Sequence, residues 1–544
     1  MAVAAYTTDL TTVNILDSDA TPSTIGEPTG SVAGTTIGIE TDHYVVSTAS
    51  ISKIFNATGV GGLGFLNGTT VTVPTDGAVY MWTNFLAPNA ISVQSLGGMQ
   101  ILVGNTLANY KRFYVYGDDT VPYGGWQVNA VNPANTASAT QGTPSGVWQY
   151  FGMAVNVEAA VARGYPLAWD AVRAGRGSIE VINGDLANGY ATFAAAASTN
   201  DSNTVGAYNR WGIFSFSNGT YTLQGRLSLG TVATAVDFRD SNRAIFIKNT
   251  EFVTAAFNQI EILNAASRVD WTGISISSLG TLSKGRVIVT ANATVNINNC
   301  SFTDMDTFSF QTNSVINDTV FRRCGIVTQG GAAFDQCIFD NPTGTSGITV
   351  SSPSNLGLIT NSTFNSDGTG YAITLTGTAA DCTLSGDFFN GYAATNGTTG
   401  NEAIFVNIAT GTMTINITNG GNTPSIRTAG ATVTVANSKT FTVTNIISGS
   451  EVRIYKASDL TEFGGVENVS ASPTGVSNVT VSADPDNAGR FRVAYSYAYT
   501  VDIPLFVVVF HNSYQALRPS FTLKSVDTSL QVTQIGDRQY LNPV

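Results

Sequence analysis

Histidine, cysteine, charge and long apolar runs are all scarce in this chain, and each scarcity removes a class of function. Only two His occur, His43 and His511, so His-rich metal centres and His-dependent nucleophilic triads have almost no material. The four Cys, at 300, 324, 337 and 382, show no paired C-x-x-C spacing, and free buried thiols are the expected state. The 25 basic residues are scattered in a chain of net charge −12, which leaves no footprint for a phosphate backbone and excludes nucleic acid as a partner. No segment approaches the roughly 18 apolar residues of a membrane-spanning helix, so no membrane insertion is expected. The strongest run, residues 503–510, contains Pro504 and suits a buried strand. Residues 1–9 lack a basic and an apolar region of signal-peptide type, and assembly in the cytoplasm follows. No cofactor and no metal site are expected.

Charged residues make up 11 % of the chain, against roughly 25 % in ordinary soluble domains. Thr, Ser, Asn and Gly must supply the polar surface instead. Thr and Val suit a pleated surface and Asn and Gly close tight bends, so the expected class is all-β. At 544 residues, a prior of about 150 residues per domain gives three or four units.

Across residues 240–445 a short phrase recurs, with Asn, Asp or Gln three residues before Phe. The pairs are Asn249 and Phe252, Asn299 and Phe302, Asp318 and Phe321, Gln336 and Phe339, and Asn361 and Phe364, with a degraded copy at Ser385 and Phe388. Successive Phe numbers differ by 50, 19, 18, 25 and 24. That is the period of one short turn of a solenoid, which stacks like residues on like. Phe belongs inside, with Cys300 and Cys337 beside it, and the Asn and Asp side chains belong at bends.

The divisions that follow are an N-terminal arm with short strands (1–75), an aromatic-rich β-sandwich of jelly-roll type (76–225), a right-handed parallel β-helix (226–445) and a small antiparallel Ig-like sandwich (446–544). In the arm, Gly59, Gly61 and Gly64 match G-x-G-x-x-G. No helical pattern follows, so the stretch reads as a flexible turn and not as a dinucleotide site. Residues 155–163 and 167–173 are the place where helical turns are expected.

Candidate functional residues are few. Trp82, Tyr123, Trp126 and Trp148 of the first sandwich have rings able to stack on sugar faces, though core packing is the more ordinary explanation of such rings. In the solenoid, Asp304 with Asp306, and Asp335 with Asp340, are the carboxylate pairs. If Asp304 and Asp306 share a strand, they lie about 6.5–7 Å apart on one face, within range of paired-carboxylate glycoside chemistry. Both follow Phe302 directly, where Asp commonly closes a turn. Neither a G-x-S-x-G elbow nor a P-loop is present.

Two phrases, Gly124-Gly-Trp-Gln-Val128 and Gly536-Asp-Arg-Gln-Tyr-Leu-Asn-Pro543, together with the low charge and the solenoid between two sandwiches, resemble surface proteins of tailed, marine and cyanophage-like virions. The resemblance implies a homotrimer of tail-fibre, tailspike or capsid-spike kind, located on the virion surface and bound to other capsid or tail proteins. Host-surface polysaccharide is its implied partner. The poverty of catalytic residue types makes a non-enzymatic role in attachment or decoration the expectation. A tailspike glycosidase or polysaccharide lyase is the alternative.

Overall fold

The computed structural model describes residues 37–42, 48–75, 77–85, 90–118, 127–158, 165–175, 178–181, 189–200, 214–248, 252–253, 258–278, 284–395, 400–498, 502–524 and 526–537, with short pieces at 6–8, 13–16, 25–26 and 28. The described chain is almost entirely β, as its composition dictates. Two compact units, Met1–Ala332 and Ala333–Val544, divide it. None of the described helices is long and apolar enough to cross a membrane.

The first unit opens with an antiparallel sandwich. One sheet runs in the order Gln127–Val131, Ala78–Phe85, Tyr165–Gly175, Ser50–Phe55, Gly38–Glu40, and the other is centred on Met99–Thr106, Trp148–Val157 and Gly59–Val71. Trp169, Phe55, Phe113, Phe151 and Met153 fill the space between them. The glycine motif is not a flexible turn but part of the strand Gly59–Val71, with Gly62 opposite Ala154 and Gly64 opposite Gly152. A Cβ on Gly64 would lie 2.1 Å from the Tyr150 hydroxyl oxygen, so the glycine is there to let an aromatic side chain cross the strand. Of the expected helical turns, residues 159–163 lie outside the described residues, and residues 155–157 and 167–173 are strand, in Trp148–Val157 and Tyr165–Gly175. Ser50–Phe55 and Ala78–Phe85 flank the second of them, and tertiary pairing overrides its Ala content.

The unit continues as a right-handed parallel β-helix of three faces. A complete rung passes from Thr294–Asn298 to Ser301–Thr303 to Phe308–Ser309, and each strand pairs in parallel with its counterpart in the next rung. The repeated phrase supplies the corners. Asn242, Asn299 and Asp318 in the first unit, and Gln336 and Asn361 in the second, have φ between 48° and 54°. A second column of left-handed residues, Asp304 and Arg323 in the first unit and Asn341 in the second, closes the same short strand at its other end. Asn and Asp enter this region more readily than other side chains, and Gly enters it freely, as Gly273 and Gly386 do.

Between the bends the Phe side chains stack. In the first unit Phe302 and Phe321 lie 5.2 Å apart, and in the second Phe339, Phe364 and Phe389 follow at 4.7 and 5.2 Å with nearly parallel rings. These separations match the spacing of neighbouring strands, roughly 4.7–4.9 Å. Two copies of the phrase are corrected. The last stacks through Phe389, whereas Phe388 points out and is 45 % exposed. Phe252 is no rung residue: it packs edge-on against Phe113 in the sandwich core, and its carbonyl accepts from Asn132 N–H at 2.7 Å. The earlier rungs of that column carry Ile245 and Ile276.

The residue after the first bend forms a further ladder. In the first unit Ile274 N–H donates to Cys300 Sγ (3.4 Å) and Cys300 N–H to Thr319 Oγ1 (3.4 Å). In the second, Cys337 N–H donates to Ser362 Oγ (3.1 Å) and Ser362 N–H to Asp387 Oδ1 (2.9 Å). A small buried acceptor on each rung thus satisfies a corner N–H of the rung before it, which would otherwise be an orphaned buried donor. All four Cys are free and buried. The rungs begin under the helix Phe193–Asn200. Its Phe193 is buried against Phe214, Phe238 and Trp271, with its N–H held by Asp240 Oδ2 at 2.8 Å.

In the second unit the rungs are followed by a sandwich. One sheet runs Val479–Ala483, Phe491–Ala498, Ser438–Ile446, Thr528–Gln531, and the other is built on Glu451–Lys456 and Ile503–His511. Phe441, Val452, Ile454, Val493 and Val507 lie between them. Ser438–Ile446 pairs in parallel with Thr528–Gln531, the exception to the antiparallel plan.

Replacing Phe364 by Ala removes the middle ring of a stack of three. It is expected to cost about 3–5 kcal/mol in urea unfolding, and a loss below about 1 kcal/mol would refute the stacking account. The ladder gives a second test. Burial pushes the Asp387 carboxyl up to about 7, against the opposing pull of the Ser362 and Ser385 N–H donors. The native state therefore keeps a proton that the unfolded chain releases near pH ~4. Stability is greatest below that value and falls as pH rises through about 7. The unfolding free energy of the wild type relative to Asp387→Asn should drop between about pH 5 and about pH 8, and a flat difference would contradict the shift.

Candidate functional site

The solenoid carboxylates come first. Asp304 is not in a strand: it is the left-handed bend residue after Ser301–Thr303, with φ 56°. Its two oxygens accept from Arg323 Nε (2.9 Å) and Nη2 (2.7 Å). That guanidinium holds the carboxyl below the usual carboxylate range. Asp306 accepts from Thr307 Oγ1 at 3.1 Å and stands 3.7 Å from Arg286. The strand geometry that would set this pair on one face is therefore absent. An ionised Asp304 locked to arginine does not supply the proton that glycoside cleavage needs. Asp335 is likewise committed to the next rung, accepting from Thr360 Oγ1 (2.6 Å) and Asn361 Nδ2 (2.8 Å).

The aromatic candidates do not converge. Trp82 lies on Ala78–Phe85 and Trp148 begins Trp148–Val157, so the two belong to opposite sheets of the sandwich. Both are half-buried. The Lys111 ammonium sits 5.6 Å from the Trp148 ring centroid and is anchored by the carbonyls of Pro133 (2.6 Å) and Asn135 (3.1 Å). Tyr123 and Trp126 lie outside the described residues. Among the described residues no group of three or more His, Cys, Asp or Glu is placed to hold a metal ion.

A groove appears where sequence reasoning did not look, on the outer face of the C-terminal sheet. Thr440, Thr442, Arg492, Ala494, Asp527, Thr528 and Ser529 line a cleft of about 490 Å³. Strand alternation builds it. Phe441 and Val443 turn into the core, so Thr440 and Thr442 face out. Val493 turns in, so Arg492 and Ala494 face out. The parallel neighbour sets Ser529 opposite Thr442. Asp527 is fixed by Thr440 N–H, which donates to its Oδ1 at 2.8 Å. Arg492 Nε donates to Ser482 Oγ at 2.9 Å. Thr528 stands opposite Phe441, and its hydroxyl is buried on that side with no hydrogen-bond partner among the described residues. The groove thus offers hydroxyls, one guanidinium and one carboxylate around small apolar surfaces, an inventory suited to a hydroxyl-rich ligand. The local signal was the Thr-x-Thr alternation of residues 440–442. The strand that completes the groove is nearly ninety residues away, about the length of a small domain, and nothing local announces it.

Comparison with known proteins places only the rungs. Residues 211–389 match the family model described as a right handed beta helix region. No curated protein matches the chain. Among solved structures, "Crystal structure of Agl-KA catalytic domain" matches over 80 % of this chain and 99 % of that one, at 10 % identity and a TM-score of 0.17. That neighbour is a catalytic domain, so the expectation of a chain without enzymatic activity is corrected and withdrawn. A likeness at this level assigns neither a reaction nor a residue.

Asp304→Asn keeps a side chain that tolerates the left-handed bend and loses only a half-exposed ion pair. Its cost in chemical denaturation should stay within about 1 kcal/mol. Asp304→Val puts a β-branched residue at φ 56° and should cost at least about 1 kcal/mol more. Equal losses would show that the pair, and not the bend, is what Asp304 provides.

Proposed function

We propose that this β-helix protein is a surface component of a tailed-phage particle, assembled as a homotrimer with other virion proteins, and that it engages a host-surface polysaccharide. The C-terminal groove is the observation that carries the reading. A saccharide presents hydroxyls at close intervals with small apolar patches between them. The lining of Thr440, Thr442, Ser529, Asp527, Arg492 and Ala494 complements that pattern with donors, acceptors and methyl surface. The low charge of the chain supports the same reading, because a surface dominated by Thr, Ser and Asn binds through many neutral hydrogen bonds. The two phage-like phrases supply the particle context. Asp304 and Asp335 are taken up by an ion pair and by the next rung, and the reading begins from binding at the groove.

The full-length chain on an array of bacterial surface polysaccharides is expected to retain at least one glycan, and Ser529→Trp, which fills the groove floor, should lose it. Retention unchanged in Ser529→Trp would move the binding elsewhere, and a blank array would remove the glycan reading. Reducing ends released from a retained glycan would add cleavage to binding. Gold-labelled antibody that leaves the purified particle unmarked, or a monomeric mass in solution, would overturn the virion and trimer parts respectively.

A further inference from the structure

We infer that the groove selects a carboxylate-bearing saccharide and that Arg492 is the residue that reads the charge, an inference that rests on the glycan reading above. Arg492 projects from the outer face of Phe491–Ala498, opposite Ser482 on the neighbouring strand. Its Nε is occupied by Ser482 Oγ, which fixes the plane of the guanidinium. Its two terminal nitrogens make no hydrogen bond or ion pair among the described residues. A guanidinium held in place with its outer fork unoccupied is arranged for bidentate capture of a planar anion.

The other charged groups around the groove leave that role to Arg492. Asp484 is near enough for Arg492 to favour its ionised form. It is buried, and three donors already hold it: Asn445 N–H (2.8 Å), Asn487 Nδ2 (3.0 Å) and Asp486 N–H (3.1 Å). Asp527 is engaged by Thr440 N–H. Lys439 belongs to the same strand as Thr440, but its ammonium is buried and donates to Ile417 carbonyl oxygen at 2.8 Å. Among the described residues lining it, the groove therefore has one available cation, Arg492, and one anion, Asp527. An acidic sugar would set its carboxylate on Arg492, and Asp527 would accept from a hydroxyl and repel a carboxylate placed there. In a chain of net charge −12, long-range attraction does not draw in a polyanion, so selection for one has to come from a local contact of this kind.

The test titrates the full chain by calorimetry at low salt with two probes, an oligogalacturonate and its methyl ester of the same length. The acid should bind about tenfold more tightly, the scale of one charge-assisted pair, and the preference should shrink with added salt. Arg492→Gln should abolish the preference, so that the variant binds acid and ester with the same affinity. Arg492→Lys should keep only part of the preference. Arg492 is exposed, and an unaltered circular dichroism spectrum confirms that the variants fold. Equal binding of acid and ester by the wild type would overturn the charge selection and leave the glycan reading standing. A preference that survives Arg492→Gln would overturn the role of Arg492. No binding of either probe, together with a blank polysaccharide array, would overturn both readings.

Discussion

Every rung of the solenoid depends on a residue being able to turn the chain at positive φ without breaking the hydrogen-bond ladder. Asn299, Asp318 and Asn361 do this before the stacked Phe, and Asp304, Arg323 and Asn341 do it after. Each turn is sharp enough to redirect the strand in one residue. The cost of left-handed backbone, roughly 1–2 kcal/mol for most L-residues, is lowered where a short polar side chain can bond locally. The bend also leaves the next N–H facing inward, and the buried Cys, Thr, Ser and Asp acceptors of the following rung answer it. Corner geometry, polar satisfaction and ring stacking are thus three consequences of one repeated phrase.

The same economy explains how Asp304 and Asp335 are held. A carboxylate at a corner accepts from neighbouring rungs or pairs with a guanidinium, and it is then no longer available to a substrate. Asp335 is spent on Thr360 and Asn361, and Asp304 on Arg323. The C-terminal groove differs because an outer sheet face has no further rung to satisfy. The hydroxyls of Thr440, Thr442 and Ser529, together with the outer fork of Arg492, face outward and make no hydrogen bond among the described residues.

Much of the solenoid was legible in residue order. The Phe spacing located the rungs, and the polar residue three places earlier located the bends. The exceptions are instructive. Phe252 fits the phrase but serves the neighbouring sandwich, where it packs edge-on against Phe113. Phe388 fits it too, yet Phe389 turns in, because Gly386 takes the bend position one residue later than the degraded copy suggested. The glycine motif at 59–64 resembled a flexible turn, since sequence does not reveal that Tyr150 crosses that strand.

The sequence by itself determined the all-β class, the solenoid period, the inward column of Phe and Cys and the bends, because each of these rests on local conformational preference repeated at short range. The tertiary structure alone decided which Asp oxygens are occupied, where Phe252 packs and how Arg492, Thr442 and Ser529 come to share one groove. Those facts depend on strand register between segments far apart in the chain. Register is set by burial of whole faces and not by any residue's own neighbours.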